Sequence, residues 1–386
     1  MKFVTKIKMQ MKKILNLNKT KQASTLNFFL TISLLFSFLT TSAQTDSSDW
    51  KKLPKVSYSG FVDIFYAYDF NDPQSDYRQT FLYNHNRHNE FNLNLGMIKI
   101  STKHLKYRAN IALHAGTYVN DNYATEPEAL QHIYEGNAGL SLNKKNNLWI
   151  DAGIFGSHIG FESAISKDNW TLTRSLLAEN SPYYLSGAKL TYNPKENWEL
   201  AAIICNGWQR IRKVIGNTLP AFGTQIKYIN TEKLTINWST FIGTDDNNLI
   251  RRMRYFNNFY AQWQATKKFG LIAGFDIGAQ QTQKNSSDYH LWFSPVAIAR
   301  YALTDTWSTT LRAEYYKDKN GVIINTATPN GFQTSGLSLN FDYTPVKNVA
   351  FRIEGRWLNS VDKIFQKQTI KENDNFVIVS SIAISF

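Results

Sequence analysis

Four arginines, Arg300, Arg312, Arg352 and Arg356, fall at even-numbered positions, and Glu314 and Glu354 interleave with them. In an extended chain, residues an even number of positions apart project to one side. Guanidinium groups in a row can hold carboxylate or phosphate through fork-shaped pairs of hydrogen bonds, the device of an anion-selective or phosphate-selective pore. With two glutamates among them, mutual pairing is the simpler use. His85 and His88, within NHNRH, have the donors for a metal, and GTDDNN at Gly243–Asn248 has oxygens for calcium but not EF-hand spacing. Solvated loops explain both more simply, so no metal or cofactor is expected. No G-x-S-x-G elbow, H-E-x-x-H helix, P-loop or G-x-G-x-x-G occurs. His158 and His290 have no evident Ser or Asp partner in sequence. No catalytic residue is assigned and the chain reads as a non-enzyme.

These side chains must be positioned by something built outside the cytoplasm. Met1 to Gln22 carries seven lysines and no acid, Leu26 to Leu39 is apolar, and Thr41-Ser42-Ala43 is small. That is a secretory signal over residues 1–43. Its apolar run of about 14 residues is short of the ~20 that span a bilayer. Residues 44–55 then form a short periplasmic segment. Without those seven lysines, 36 basic residues face 30 acidic ones, so +13 becomes near +6. Interspersed charge of that size is no nucleic-acid footprint. A single cysteine, Cys205, excludes an intramolecular disulfide.

Period-2 alternation dominates from Val56 onward. In the first run Val56, Tyr58, Val62, Ile64, Tyr66 and Tyr68 share a face opposite Ser57, Ser59, Asp63, Ala67 and Asp69, with Phe61 and Phe65 as exceptions. Fifteen further runs follow, near 90–100, 105–119, 132–142, 148–156, 183–192, 198–206, 220–229, 234–244, 255–265, 271–281, 290–301, 307–316, 333–343, 349–357 and 376–386. Each is about ten residues, enough for a tilted strand to cross a membrane. Seven short connections alternate with eight long polar ones. The pattern predicts an all-β fold: one transmembrane, antiparallel, up-and-down β-barrel of about 16 strands over residues 56–386, with short periplasmic turns and long extracellular loops. One parity collects aromatics near both ends. The other collects Asp63, Arg108, His114, Asp151, Lys189, Glu199, Lys227, Asp276, Arg312, Glu314, Arg352, Glu354 and Arg356, which marks the interior as wet. The last strand, ending Phe386, pairs with the first so that no open edge meets lipid.

Between Asp168 and Gln209 the chain is more specific. IGFES (Ile159–Ser163), Asp168-Asn169, RSLL (Arg174–Leu177), SPYY (Ser181–Tyr184), G-x-K-L-T-Y (Gly187–Tyr192) and NGWQ (Asn206–Gln209) resemble the OmpL-like family of outer-membrane β-barrel porins. The resemblance implies a Gram-negative outer-membrane barrel among lipids and lipopolysaccharide that passes small hydrophilic solutes. It implies no catalytic residues. From barrel proteins generally it implies that the assembly machinery reads the Phe386 strand. A homotrimer is compatible with it but not settled by it.

Sixteen strands leave a water-filled lumen. The expected function is a porin for passive diffusion of small hydrophilic solutes or ions. The alternatives are an anion- or phosphate-selective porin, a barrel enzyme, or a plugged adhesin or anchor. The connection Ser157–Pro182 is too long and too apolar to stand in water: Ile159, Phe161, Ile165, Trp170, Leu172, Leu176 and Leu177 need a wall. It is expected to fold into the barrel, with a short helix in Thr171–Asn180 begun by a Thr. Glu162, Lys167, Asp168, Arg174 and Glu179 are then the constriction candidates. Asp63, Arg108, Asp151, Lys189, Asp276, Arg312, Glu314, Arg352, Glu354 and Arg356 are the lumen-lining candidates.

Overall fold

A computed structural model describes residues 47–231 and 233–386. The signal-segment reading lies outside them. Sixteen strands close into one barrel. They are β1 Lys55–Asp69, β2 Phe91–Lys103, β3 Tyr107–Ala115, β4 Ile133–Ser141, β5 Leu148–Gly156, β6 Tyr184–Tyr192, β7 Trp198–Cys205 and β8 Ala221–Asn230. The second half is β9 Leu234–Gly243, β10 Arg254–Gln264, β11 Phe269–Gln281, β12 Tyr289–Ala302, β13 Trp307–Asp318, β14 Phe332–Val346, β15 Val349–Ser360 and β16 Asp374–Ser385. Each pairs antiparallel with its sequence neighbours, and β1 pairs with β16 from Phe61↔Ser385 to Asp69↔Val377. The seam continues at Phe386, which exchanges backbone hydrogen bonds with Gly60 at 2.8 and 3.0 Å. No edge is left for lipid to desolvate.

The long connections are L1 (70–90), L2 (116–132), L3 (157–183), L4 (206–220), L5 (244–253), L6 (282–288), L7 (319–331) and L8 (361–373), all at one end of the barrel. The outer wall carries the apolar parity. Tyr192, Trp198, Tyr301 and Trp307 point outward at the short-turn end, and Tyr68, Phe91, Tyr255, Trp357 and Phe376 near the loops. Aromatic girdles of this kind sit at the two membrane interfaces.

The inner wall is drier than its charge content suggests. Phe61 and Phe65, out of pattern as lumen residues of an open pore, are buried inward. Phe61 joins Leu95, Met97, Tyr118 and Tyr123. Phe65 joins Leu172, Val377 and Val379. A larger apolar cluster runs from Phe155 on β5 through Phe241, Phe256 and Trp292 to Leu358, taking in Phe81 from L1 and Ile159 and Leu176 from L3. Loops that fold inward supply the partners these side chains need.

Candidate pore and its inner loop

L3 is closed at its stem, where Ser157 N–H donates to the Tyr183 carbonyl at 2.9 Å. From there it runs the height of the barrel. Lys167 at its far end donates to the carbonyl of Lys347, in the β14–β15 turn, at 3.0 Å. Thr171 to Pro182 is buried throughout. A one-turn helix, Leu176–Glu179, begins at Ser175, whose hydroxyl accepts from Ala178 N–H at 3.2 Å. The cap is therefore this serine and not a threonine. Thr171 and Thr173 are already engaged by Arg312, which reaches their hydroxyls at 3.0 and 2.9 Å.

The wall under L3 is built to receive it. Thr173 N–H donates to Glu354 at 2.6 Å, and Leu176 N–H to Glu314 at 2.6 Å. Arg312 donates to the Thr173 carbonyl at 2.6 Å and to Glu354 at 2.8 Å. Arg352 holds Asp342 at 2.7 Å and the Ser166 carbonyl at 2.6 Å. Arg356 pairs with Glu314 at 2.7 Å. Each of these three arginines therefore has a carboxylate partner beneath the loop, and desolvated charges need that pairing. Apolar contacts complete the seat: Leu177 lies against Ile272, Val296 and Ile298, with Phe161 and Trp170 beside them. Inward glycines make room. A Cβ at Gly274 would lie 2.7 Å from the Phe161 ring, and one at Gly270 2.5 Å from the Trp170 ring.

L1 folds in as well. His85 Nε2 lies 2.9 Å from Asp63 on β1. Glu179 accepts from Tyr83 N–H at 2.9 Å and Asn84 N–H at 3.3 Å, tying L1 to L3. Burial pushes the Glu179 carboxyl up to about 7, against the pull of the Tyr83 N–H.

The expected constriction group is thus dispersed. Arg174 is fully buried, its guanidinium bonded to the carbonyls of Ser163, Leu172 and Ala164 at 2.6–2.7 Å, so it stitches the loop to itself. Glu162 accepts from the Ser175 N–H at 3.1 Å and from its hydroxyl, yet borders a cavity. Glu179 borders another. Lys167 is half-buried and Asp168 exposed. Of the expected lumen residues, Asp63, Asp276, Arg312, Glu314, Arg352, Glu354 and Arg356 point inward but are buried under L1 and L3. The physical reason is that the loops cover β10–β16 and β1.

The opposite wall stays accessible. There Arg108 holds Asp151 at 2.7 Å and lies 4.5 Å over the Trp149 ring. Lys189 lies 5.1 Å over Phe155. Lys99 and Glu135 pair at 2.6 Å, a pair the sequence reading missed although both share the inward parity of Arg108 and Asp151. Two cavities flank L3. One of about 230 Å³ lies between its arms and Tyr134, lined by Glu162, Ser163 and Tyr183. The other, about 250 Å³, lies among the external loops. Ser181, at the foot of the loop, lines both.

A closed, even-stranded barrel with lipid-facing girdles and a polar interior narrowed by an inward loop is a porin-type channel of the bacterial outer membrane. The chain belongs to the family described as "Putative beta-barrel porin-2, OmpL-like", which matches residues 55–386. Solved structures share the fold. The anion-selective porin from Comamonas acidovorans is 11% identical, with a TM-score of 0.58 over 86% of this chain and 100% of that one. A trimer form of in-vitro folded OmpT from Vibrio cholerae is 6% identical, TM-score 0.55, over 87% and 100%. OmpF of Salmonella typhi, in complex with daunomycin, is 11% identical, TM-score 0.55, over 86% and 98%. No curated protein matches the chain.

Proposed function

We propose that this porin is a narrow, weakly selective channel in which solutes pass between L3 and the β2–β8 wall. The carrying observation is the asymmetry of the lumen: β10–β16 is sealed by L3, while Lys99, Glu135 and Arg108 on the other side remain partly exposed, with Asp151 buried beneath Arg108. Their signs balance in two ion pairs, which argues for mild rather than strong discrimination. The three paired arginines under L3 leave no free ladder for phosphate. A catalytic role finds little support. The His85–Asp63 pair is sealed from solvent, out of reach of a substrate.

Residues 1–43 are the cleaved signal, 44–55 a periplasmic segment and 56–386 the barrel. Outer-membrane lipid and lipopolysaccharide face the apolar girdles. The assembly machinery reads the Phe386 strand. A homotrimer is the assembly, supported by the trimer form of a structural relative. Planar-bilayer recording tests the channel. Wild type should give discrete ohmic steps, and a variant lacking Glu162 to Ala178 should give larger ones while still folded. Silence from correctly inserted wild type would leave a plugged adhesin or anchor instead.

A further inference from the structure

Six of the eight long loops and strand β10 meet around the external cavity of about 250 Å³: L1 brings Tyr83, L2 Asp121, L3 Glu179, L4 Trp208 and Arg210, L5 Asp245, L7 Val322 and Ile323, and β10 Arg254. Most charges here are already matched. Asp121 is held by Arg87 at 2.7 and 3.0 Å. Asp246 is held by Arg252 at 2.8 Å. Arg254 is held by Gln280 at 2.8 Å and lies 3.8 Å from Asp245, whose other contact is the Trp208 N–H at 3.0 Å. Arg210 is different. It lines the cavity, enters no ion pair among the described residues, and its Nε is buried with no partner there. Its terminal nitrogens make no hydrogen bond among the described residues either, so a ligand oxygen in the cavity finds unengaged, charged donors there.

The neighbours narrow the ligand. Asp245 and Glu179 stand on the same cavity, so a doubly charged phosphate would meet the Asp245 carboxylate and, above the Glu179 value of about 7, a second one. A single carboxylate on a small body would meet only its share of that repulsion while satisfying Arg210. The indole of Trp208, with Val322 and Ile323, offers an apolar face for a carbon skeleton, and the Thr125 and Ser181 hydroxyls line the same space. We propose that the external vestibule is a binding site for small monocarboxylates bearing hydroxyl groups, with Arg210 as the carboxylate anchor. Because Ser181 also borders the inner cavity, a solute held here stands at the entrance to the passage. The inference deepens the channel reading by naming a solute class, and rests on it only for passage, not for binding.

Calorimetry on the purified full-length barrel in detergent tests it, with gluconate as the carboxylate probe and glucose and inorganic phosphate beside it. Gluconate should bind more tightly than either. Arg210→Gln should weaken gluconate about tenfold or more, and Arg210→Lys should recover part of that, with the β-sheet circular dichroism of both variants unchanged to show folding. No gluconate binding by wild type, binding undiminished in Arg210→Gln, equal binding of glucose, or tighter binding of phosphate would each overturn the proposal. Conductance in KCl separates the two readings: a conducting barrel that ignores gluconate sinks the vestibule site alone, and a gluconate-binding barrel that does not conduct sinks the channel.

Discussion

Glu314 on the barrel wall accepts the backbone N–H of Leu176, the first residue of the helix inside L3, at 2.6 Å. A wall carboxylate thus stands at the N-terminus of a loop helix, where an unsatisfied N–H needs an acceptor. The same carboxylate pairs with Arg356. One residue therefore anchors the loop and neutralises the wall.

Removing it should undock L3. Glu314→Ala leaves Arg356 buried without a partner, at a cost of about 3–5 kcal/mol, and strips the helix of its wall acceptor. Limited proteolysis of the folded barrel should then cut within L3, where wild type resists, and single-channel current should rise. Equal protease resistance in the variant would show that the pairing does not hold the loop.

Arg312 and Glu354 offer a sharper comparison. Both are fully buried, 2.8 Å apart, and both also bond Thr173. Truncating Arg312 alone should be worse than replacing both with methionine, because it strands Glu354, whereas loss of Glu354 leaves Arg312 within 3.3 Å of Glu314. A double-mutant cycle on loop docking, read by hydrogen exchange in L3, should give a coupling of at least about 1 kcal/mol. Additive effects would count against a desolvated pair.

Docking of L1 on L3 should depend on pH through Glu179. Its folded-state value of about 7 is raised above the ordinary carboxyl value of 4.5, so the folded form holds a proton that the undocked form gives up. The stabilisation is complete at pH below the ordinary value, declines as pH rises through that window, and is lost above about 7. Exchange of the Tyr83 amide should accelerate beyond its intrinsic rise over this range. Glu179→Gln keeps an acceptor and cannot ionise, so it should flatten the profile. An unchanged profile would move the titration to another group.

Gly274→Val should displace L3 without harming the barrel. The new side chain would start 2.7 Å from the Phe161 ring and 3.0 Å from Val296, and overpacking of this kind costs about 1–3 kcal/mol. The strand pairing of β11 is untouched, so heat resistance of the barrel should persist while L3 becomes protease-sensitive. A barrel that fails to assemble would show instead that the glycine serves the strand.

The sequence by itself determined the wall. Lipid requires an apolar residue at every second position and the hydrogen-bond ladder leaves no other period, so strand number, loop alternation and outward aromatics were legible from Val56 to Phe386. The apolar residues of L3 also showed that it must fold inward. Which inward charges meet water was decided only by tertiary structure. The contacts that bury Arg312, Glu314 and Glu354 join residues 138 to 181 positions apart, and no local period reports them. Inward parity is equally satisfied by a wet wall and by a wall covered by a loop. Arg174 illustrates the difference: its charge and loop position suggested a pore, and three carbonyls of its own loop claimed it first.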